Sequence, residues 1–393
     1  MKFLFRKDFS HRLFLPSRED ELLLKAALLS KKGALLSWEK WISSVDLNHI
    51  DQNTFRLIPL AVHNLEKMGI KHSSFNRMRG TQKKFWYRNQ LFFRSLKKVL
   101  AAFQDNNIKC MLLKGAALIP LYYKNIGIRP MNDIDLLITP ESVFRACAVL
   151  EDAGWIWEKK MQKRITGKLV NVHNECLFKG GKATFIDLHW HAVTENVYPD
   201  ADADFWHNAR SFGMDGVNVY VMNPTDQLLF TCIHALKHIT SWDSFAPANW
   251  VADAVYILRK DREEIDFDAL LGKAEEHKKV LPLKICLGYL ERNFGIQWPP
   301  DFKKRLAAAK ISSLEEREFK TRQIFSSFLG PFLMHWYKYR RYVEREKKPP
   351  FLKKMFGFLL FLKTMYKIPS VICLPPILLF NTFRKIIRKN QQV

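Results

Sequence analysis

The segment 111–138, MLLKGAALIPLYYKNIGIRPMNDIDLLI, constrains the fold of this chain more than any other part of the sequence. One apolar run ends just before Gly115, a helix-like stretch follows, and the next apolar run opens with Asp133, Ile134 and Asp135. Alternate strand residues point to the same side, so a strand here directs both carboxylates to one point and turns Ile134 into the core. Paired carboxylates beside a glycine that begins a helix can hold Mg²⁺ against nucleotide phosphates. The segment therefore predicts a strand–helix–strand unit with a metal site.

An isolated Asp-x-Asp pair occurs often on surface strands and loops, so its context decides its meaning. Here the pair opens a strand that reads as buried, where two ionised carboxylates need a counter-charge. A divalent cation can supply that charge. The alternative is an ordinary acidic pair that is neutralised by Lys114 or Arg129. The sequence favours the metal, with Lys114 and Arg129 as candidates to contact phosphates.

A third carboxylate, Asp187, lies between apolar residues in FIDLHW, which predicts a buried strand position. Three carboxylates on adjacent strands suit phosphoryl transfer with two metal ions. In that arrangement Asp133 and Asp135 bind both ions, and Asp187 holds the ion that activates the attacking hydroxyl. We therefore predict these three residues as catalytic metal ligands.

Several residues around these carboxylates could support them through hydrogen bonds. His189 alternates with Asp187 along one strand face, and a purely structural role for it stays open. His234 and a second histidine are one helical turn apart, a spacing compatible with zinc, but without an evident third ligand we favour packing or support of the site. The full set of candidate supporting residues is His173, Glu175, His189, His234 and His238.

The chain is predicted to be an α/β protein of the α+β kind, a mixed sheet flanked by helical regions. Its four predicted parts are helices over 1–105, the α/β core over 106–223, helices over 224–345 and a basic, apolar tail over 346–393. Ser17 is predicted to cap the first helix.

The net charge of +24 lies almost entirely at the two ends. Residues 1–105 carry 20 Lys/Arg and 9 Asp/Glu, net +11, and residues 336–393 carry 14 and 2, net +12. Basic ends around a neutral centre predict an anionic partner surface. A membrane is favoured over nucleic acid, because the basic and aromatic residues at 83–98 are better explained as one amphipathic helix.

The tail is apolar, but its longest uncharged run, 368–383, has 16 residues and three prolines. A spanning helix needs about 20 apolar residues, so the tail is expected either to lie at a membrane interface or to pack on the protein or a second subunit. Six scattered cysteines without a CxxC pair and a charged N-terminal stretch predict a cytoplasmic protein, with peripheral binding to the inner face of the membrane as an option.

These motifs resemble the nucleotidyltransferase superfamily, the fold of DNA polymerase beta and of the aminoglycoside and tRNA nucleotidyltransferases. More closely, LLKGAAL…GIRPMNDIDLLI followed by IDLHW is similar to an uncharacterised bacterial nucleotidyltransferase family with the pattern KGxAL…RPxxDIDLL, over residues 15–260. The resemblance implies that Asp133, Asp135 and Asp187 bind metal and that Gly115 opens a helix facing phosphates. The Gly-Ser or Gly-Gly of the wider superfamily is Gly-Ala here.

The resemblance implies an enzyme that uses Mg²⁺ or Mn²⁺ to move a nucleotidyl group from an NTP, with ATP expected, to an acceptor hydroxyl or phosphate. One alternative is a non-catalytic nucleotide-binding or scaffold protein at the membrane, linked to cell-surface glycan assembly. Another is an RNA-directed nucleotidyltransferase that uses the charge of the N-terminal helices to follow phosphates.

Overall fold

The computed structural model of the protein describes residues 15–157, 175–181, 184–198, 200–214, 216–236, 248–323, 330–344 and 357–363. The α-helices are α1 (Arg18–Leu28), α2 (Lys31–Ser44), α3 (Gln52–Lys67), α4 (Phe75–Asp105), α5 (Lys114–Leu118), α6 (Val143–Asp152), α7 (Ala203–His207), α8 (Pro224–Ala235), α9 (Asn249–Asp261), α10 (Phe267–Glu276), α11 (Val280–Phe294), α12 (Pro300–Ala308), α13 (Ser313–Gln323) and α14 (Gly330–Glu344). The strands are β1 (Cys110–Leu112), β2 (Ile134–Ile138), β3 (Ile156–Trp157), β4 (Glu175–Lys179), β5 (Phe185–His189), β6 (Arg210–Met214) and β7 (Val217–Val221).

The strands described form one mixed sheet in the order β3-β4-β5-β2-β1-β7-β6. The pairs β2–β5 and β1–β7 are parallel, and the other neighbours are antiparallel. Every residue of β1 and β2 is buried, which explains why these central strands are apolar almost without interruption. The sheet between helices confirms the predicted fold class.

The strand–helix–strand unit differs from its prediction in two details. The helix after β1 is short and continues as one π-helical turn, Ile119–Tyr123, which ends at Lys124 in a left-handed conformation with φ 56°. Strand β2 begins at Ile134, so Asp133 lies just before the strand. Asp135, by contrast, lies within the strand.

The N-terminal helices share a hydrophobic core with the C-terminal helices. Ser17 caps α1 as predicted, accepting a hydrogen bond from the backbone N–H of Asp20. One continuous buried cluster joins residues of α1 and α3 to residues of α8, α9 and α11. Tyr289 of α11 also donates a hydrogen bond of 3.0 Å to Glu21 of α1. These helices therefore pack together on one side of the sheet, next to the end of β1 that leads into α5.

Only residues 357–363 of the predicted tail are described, and they are helical. Phe358 packs edge-on against Trp336 of α14, with ring centroids 4.9 Å apart, and is buried. Among the residues described, no helix combines the length and the apolar character that crossing a bilayer requires. Membrane binding by the tail and the four-part division of the chain both stay predictions.

Candidate active site

Asp135 and Asp187 lie side by side because they are register partners on the parallel strands β2 and β5. Neighbouring strands are about 4.8 Å apart, and partners in register project to the same side of the sheet. His189, two residues after Asp187, projects to that side as well. Its Nε2 lies 3.1 Å from Asp135 Oδ1 and 3.1 Å from Asp187 Oδ2. One ligand atom from each of the three residues fits within 4.8 Å of the others, a group that could hold a metal ion.

The ammonium group of Lys114 supplies a positive charge to this carboxylate cluster. Its Nζ donates a hydrogen bond to Asp135 Oδ1, and both side chains are largely buried. Burial alone would raise the pKa of Asp135, but Lys114 and His189 hold it well below its usual range. Lys114 adopts a left-handed backbone with φ 45°, which costs a non-glycine residue roughly 1–3 kcal/mol. The sequence left open whether Lys114 or Arg129 neutralises the acidic pair without a metal. In the structure, Lys114 forms an ion pair with Asp135.

Asp133 lies beside the Asp135–Asp187–His189 group but is not one of its three members. Burial, reinforced by the negative charge of Asp135, raises its pKa to about 7. Of the three carboxylates predicted from sequence, the structure thus brings two into direct register and adds an imidazole, while the third lines the neighbouring cleft.

Arg129 contacts a carboxylate of the C-terminal helices. Its Nε and Nη2 donate to Asp253 Oδ1 and Oδ2, each at 2.7 Å. Tyr123 donates a further hydrogen bond of 2.6 Å to Asp253. Asp253 thus anchors the loop before β2 to helix α9. Two of the three guanidinium nitrogens of Arg129 are therefore engaged by Asp253.

Gly115 is required by close packing. A Cβ at this position would lie 2.5 Å from Met131 Cγ and 2.6 Å from Arg129 Nη1, closer than real Cβ contacts come. The loop before β2 therefore lies directly against the start of α5. This contact needs glycine whether or not a phosphate binds nearby.

Asn89 of α4 fixes the same loop and was not singled out from the sequence. Its side chain is fully buried, and its Nδ2 donates to the backbone carbonyls of Ile126 at 2.6 Å and Arg129 at 2.9 Å. Its Oδ1 accepts a hydrogen bond of 3.3 Å from the backbone N–H of Met131. A polar residue on the buried face of an otherwise amphipathic helix is the sequence signal that could have identified it.

A cleft of about 290 Å³ opens between α3, α5, the start of β2, α8 and α9. Its lining includes Gly115, Asp133 and Asp135, together with Trp250 and two residues missed from the sequence, Arg56 and Gln227. Arg56, Gln227 and Trp250 each have a buried polar atom without a hydrogen-bond partner among the residues described, namely Nε, Oε1 and Nε1. In the sequence, Arg56 directly precedes the apolar run 57–62. A cation beside a buried apolar run is the signal that could have identified it.

The other predicted supporting residues are distributed as follows. His234 lies on α8 and lines the cleft. Glu175 opens β4 and pairs in register with His189. The predictions for His173 and His238 fall on residues outside those described.

The donor set fits a divalent cation. Two carboxylates provide the oxygen ligands that Mg²⁺ prefers, and the imidazole of His189 extends the choice to Mn²⁺ and similar ions. Asp133, with its carboxylate beside the same group, can complete the oxygen ligands. The ammonium group of Lys114 donates a hydrogen bond to Asp135 Oδ1. It would have to release this oxygen before a metal ion could bind there.

The chain is similar to a crystal structure of an antigenic nucleotidyltransferase-like protein from Paracoccidioides brasiliensis, at 15% identity over 57% of this chain and 94% of that chain, with a TM-score of 0.32. None of the curated proteins matches. A family model described as uncharacterised nucleotidyltransferase matches residues 53–295, more than half of the 393 residues. The chain therefore belongs to the uncharacterised nucleotidyltransferase family, which confirms the resemblance found in its sequence.

Proposed function

We propose that the protein is a Mg²⁺- or Mn²⁺-dependent nucleotidyltransferase that moves a nucleotidyl group from an NTP to an acceptor hydroxyl or phosphate. The observation that carries the proposal is the pairing of Asp135 with Asp187 in register, with His189 at 3.1 Å from both, at the edge of a cleft large enough for a polar ligand. Family membership supports the reaction class.

Each residue has a specific role in this proposal. Asp133 and Asp135 line the cleft, and Asp187, in register with Asp135, would hold the ion that activates the acceptor hydroxyl. Without a metal, Nε2 of His189 contacts both strand carboxylates; with a divalent ion bound, the neutral imidazole would be one of its ligands instead. A bound divalent ion would neutralise phosphate charge and lower the pKa of the attacking hydroxyl. The protein's own contribution is alignment of the two oxygens in a partly dry site.

Lys114 keeps Asp135 ionised in the absence of substrate. Since a buried carboxylate without a counter-charge is costly, the ammonium group of Lys114 stabilises the ionised form of Asp135. The same flexible side chain can reach a phosphate oxygen once Asp135 has another positive partner.

Transfer of label from each α-labelled NTP to a host extract, with Mg²⁺ or Mn²⁺ added, tests the proposal. We expect the wild-type protein to label an acceptor and Asp187→Asn to lose at least about a hundredfold in rate, as is typical when a group that stabilises developing charge is removed. Asp152→Asn, an exposed carboxylate of α6, is the matched control and should retain activity. Equal labelling by the Asp187 and Asp152 variants would overturn the proposal.

A second candidate function is nucleotide binding without turnover, at an anionic membrane surface that the basic ends of the chain would contact. The observation that favours it is the ion pair of Lys114 with Asp135, which neutralises this carboxylate without a metal. Stoichiometric NTP binding by calorimetry, with no labelled product over a broad acceptor panel, would support this function over transfer.

A further inference from the structure

The cleft beside the carboxylates is lined in part by helix α3 of the N-terminal region. Helix α3 contributes Gln52, Asn53 and Arg56 to the lining, and α8 contributes Gln227. The N-terminal helices therefore contribute side chains to the cleft in addition to packing against the C-terminal helices.

Arg56 carries a positive charge that the described residues only partly satisfy. Its Nη2 donates to the carbonyl of Pro130 at 3.3 Å, and its Nε is buried without a hydrogen-bond partner. The charges acting on it come from Arg129 and Arg88, which repel it, and from Asp133 and Asp253, which attract it. Burial and the nearby Arg129 lower its pKa to about 10, so it remains a cation at neutral pH.

The other cations of the cleft are already bound to carboxylates. Lys114 contacts Asp135, and Arg129 donates two hydrogen bonds to Asp253. Arg56, by contrast, forms no ion pair with a carboxylate in the described part of the chain. It is therefore the cleft cation best placed to accept an anionic ligand.

The lining residue from α8, Gln227, requires a different partner. Gln227 is 1% exposed, and its Oε1 accepts no hydrogen bond from the residues described. An atom of this kind is satisfied by a donor such as a ribose hydroxyl or a base amino group. A ligand that is anionic at one end and carries hydrogen-bond donors at the other would satisfy both Arg56 and Gln227.

We propose that Arg56 binds a phosphate group of a nucleoside triphosphate, with the sugar or base directed toward Gln227. The guanidinium fork matches two phosphate oxygens at once, which a lysine cannot reproduce. Arg56 thus supplies the phosphate contact that Gly-Ala after β1 does not offer. This inference rests on the proposed function and assigns the orientation of its substrate.

Calorimetric binding of three probes, inorganic tripolyphosphate, ATP and adenosine, tests the orientation. We expect Arg56→Gln to weaken tripolyphosphate and ATP binding by about tenfold or more, as loss of a charge-assisted hydrogen-bond pair implies, while adenosine binding is unchanged. Arg56→Lys should recover only part of the loss. Gln227→Leu should weaken ATP and adenosine but leave tripolyphosphate unaffected.

Arg79→Gln is the matched control, because it removes the same charge from an exposed arginine of α4 that pairs with Glu66. It should bind all three probes like the wild type. If Arg56→Gln binds tripolyphosphate as tightly as this control, the inference is wrong even where the wild type transfers nucleotides. If the wild type binds no NTP at all, the proposed function fails together with the inference.

Discussion

Arg129 and Asp253 are joined by two hydrogen bonds of 2.7 Å that connect the loop before β2 to helix α9. Both side chains are largely buried. The pair fixes the distance between the carboxylate cluster and the C-terminal helices, and so the width of the cleft.

Replacing Asp253 should therefore be severe. Asp253→Ala leaves the Arg129 guanidinium buried without a counter-charge, and we expect a loss of about 3–5 kcal/mol in the free energy of unfolding. Tyr123→Phe removes one hydrogen bond to the same carboxylate and should cost about 1 kcal/mol. Urea denaturation of both variants measures the difference. Equal, small losses would show that the pair does not anchor the loop.

Asn89 should stabilise the loop rather than helix α4 itself. Asn89→Ala removes three hydrogen bonds to the backbone of residues 126–131 and should destabilise the protein by at least about 2 kcal/mol. Hydrogen exchange of this loop should accelerate more than exchange in α4. Asn106→Ala, at the exposed end of the same helix, is the control and should change stability by less than about 0.5 kcal/mol.

Gly115→Ala should force Met131 and Arg129 away from α5. We expect a loss of about 1–3 kcal/mol from overpacking, measured by thermal or urea unfolding. Adding Met131→Ala should restore only part of it, because Asp253 fixes Arg129. Gly80→Ala is the control: no atom of the described residues lies within 4 Å of the place its methyl group would take, so this helix should gain up to about 1 kcal/mol. Gly115→Ala with wild-type stability would contradict the packing.

Asp20 should make stability depend on pH away from the active site. Burial, with the nearby charge of Asp51, raises its pKa from 3.8 to about 6, although Thr54 donates it a hydrogen bond. The stability that this shift contributes is fully present below pH 3.8 and is lost as the pH rises through 6. At about 1.4 kcal/mol per pKa unit, the full loss is about 3 kcal/mol.

Asp20→Asn should remove this pH dependence. Relative to the wild type, the variant should gain about 3 kcal/mol in unfolding free energy between about pH 3 and about pH 8, measured by urea titrations at both values. Glu19→Gln, an exposed neighbour on the same helical turn, should show no such gain. A parallel pH response of the wild type and Asp20→Asn would refute the assignment.

The sheet and its motif strands were predictable because their signals are local. Apolar runs, period-two alternation and the Ser17 cap each depend on a few consecutive residues, and the structure has strands or a helix start at each of them. The fold class and the family were therefore within reach of the sequence, whereas the roles of the site residues stay proposals.

The contacts around the carboxylates were less predictable because they join distant parts of the chain. Arg129 and Asp253 are 124 residues apart, and Asn89 and Arg129 are 40 apart. Nothing in a single sequence specifies which polar residue of a helix faces a loop from elsewhere.

The contribution of α3 to the cleft has an evolutionary consequence. The family match begins at residue 53, inside α3, and extends through α11, so it contains Arg56, Asn89 and Asp253 together with the sheet. Recombination between relatives that separated these helices from the sheet would expose shared core surface and break the cleft at once. Because α1 lies before the family match and still shares this buried core, exchange of parts should be tolerated only where α1, the helices on both sides of the sheet and the sheet itself are kept together.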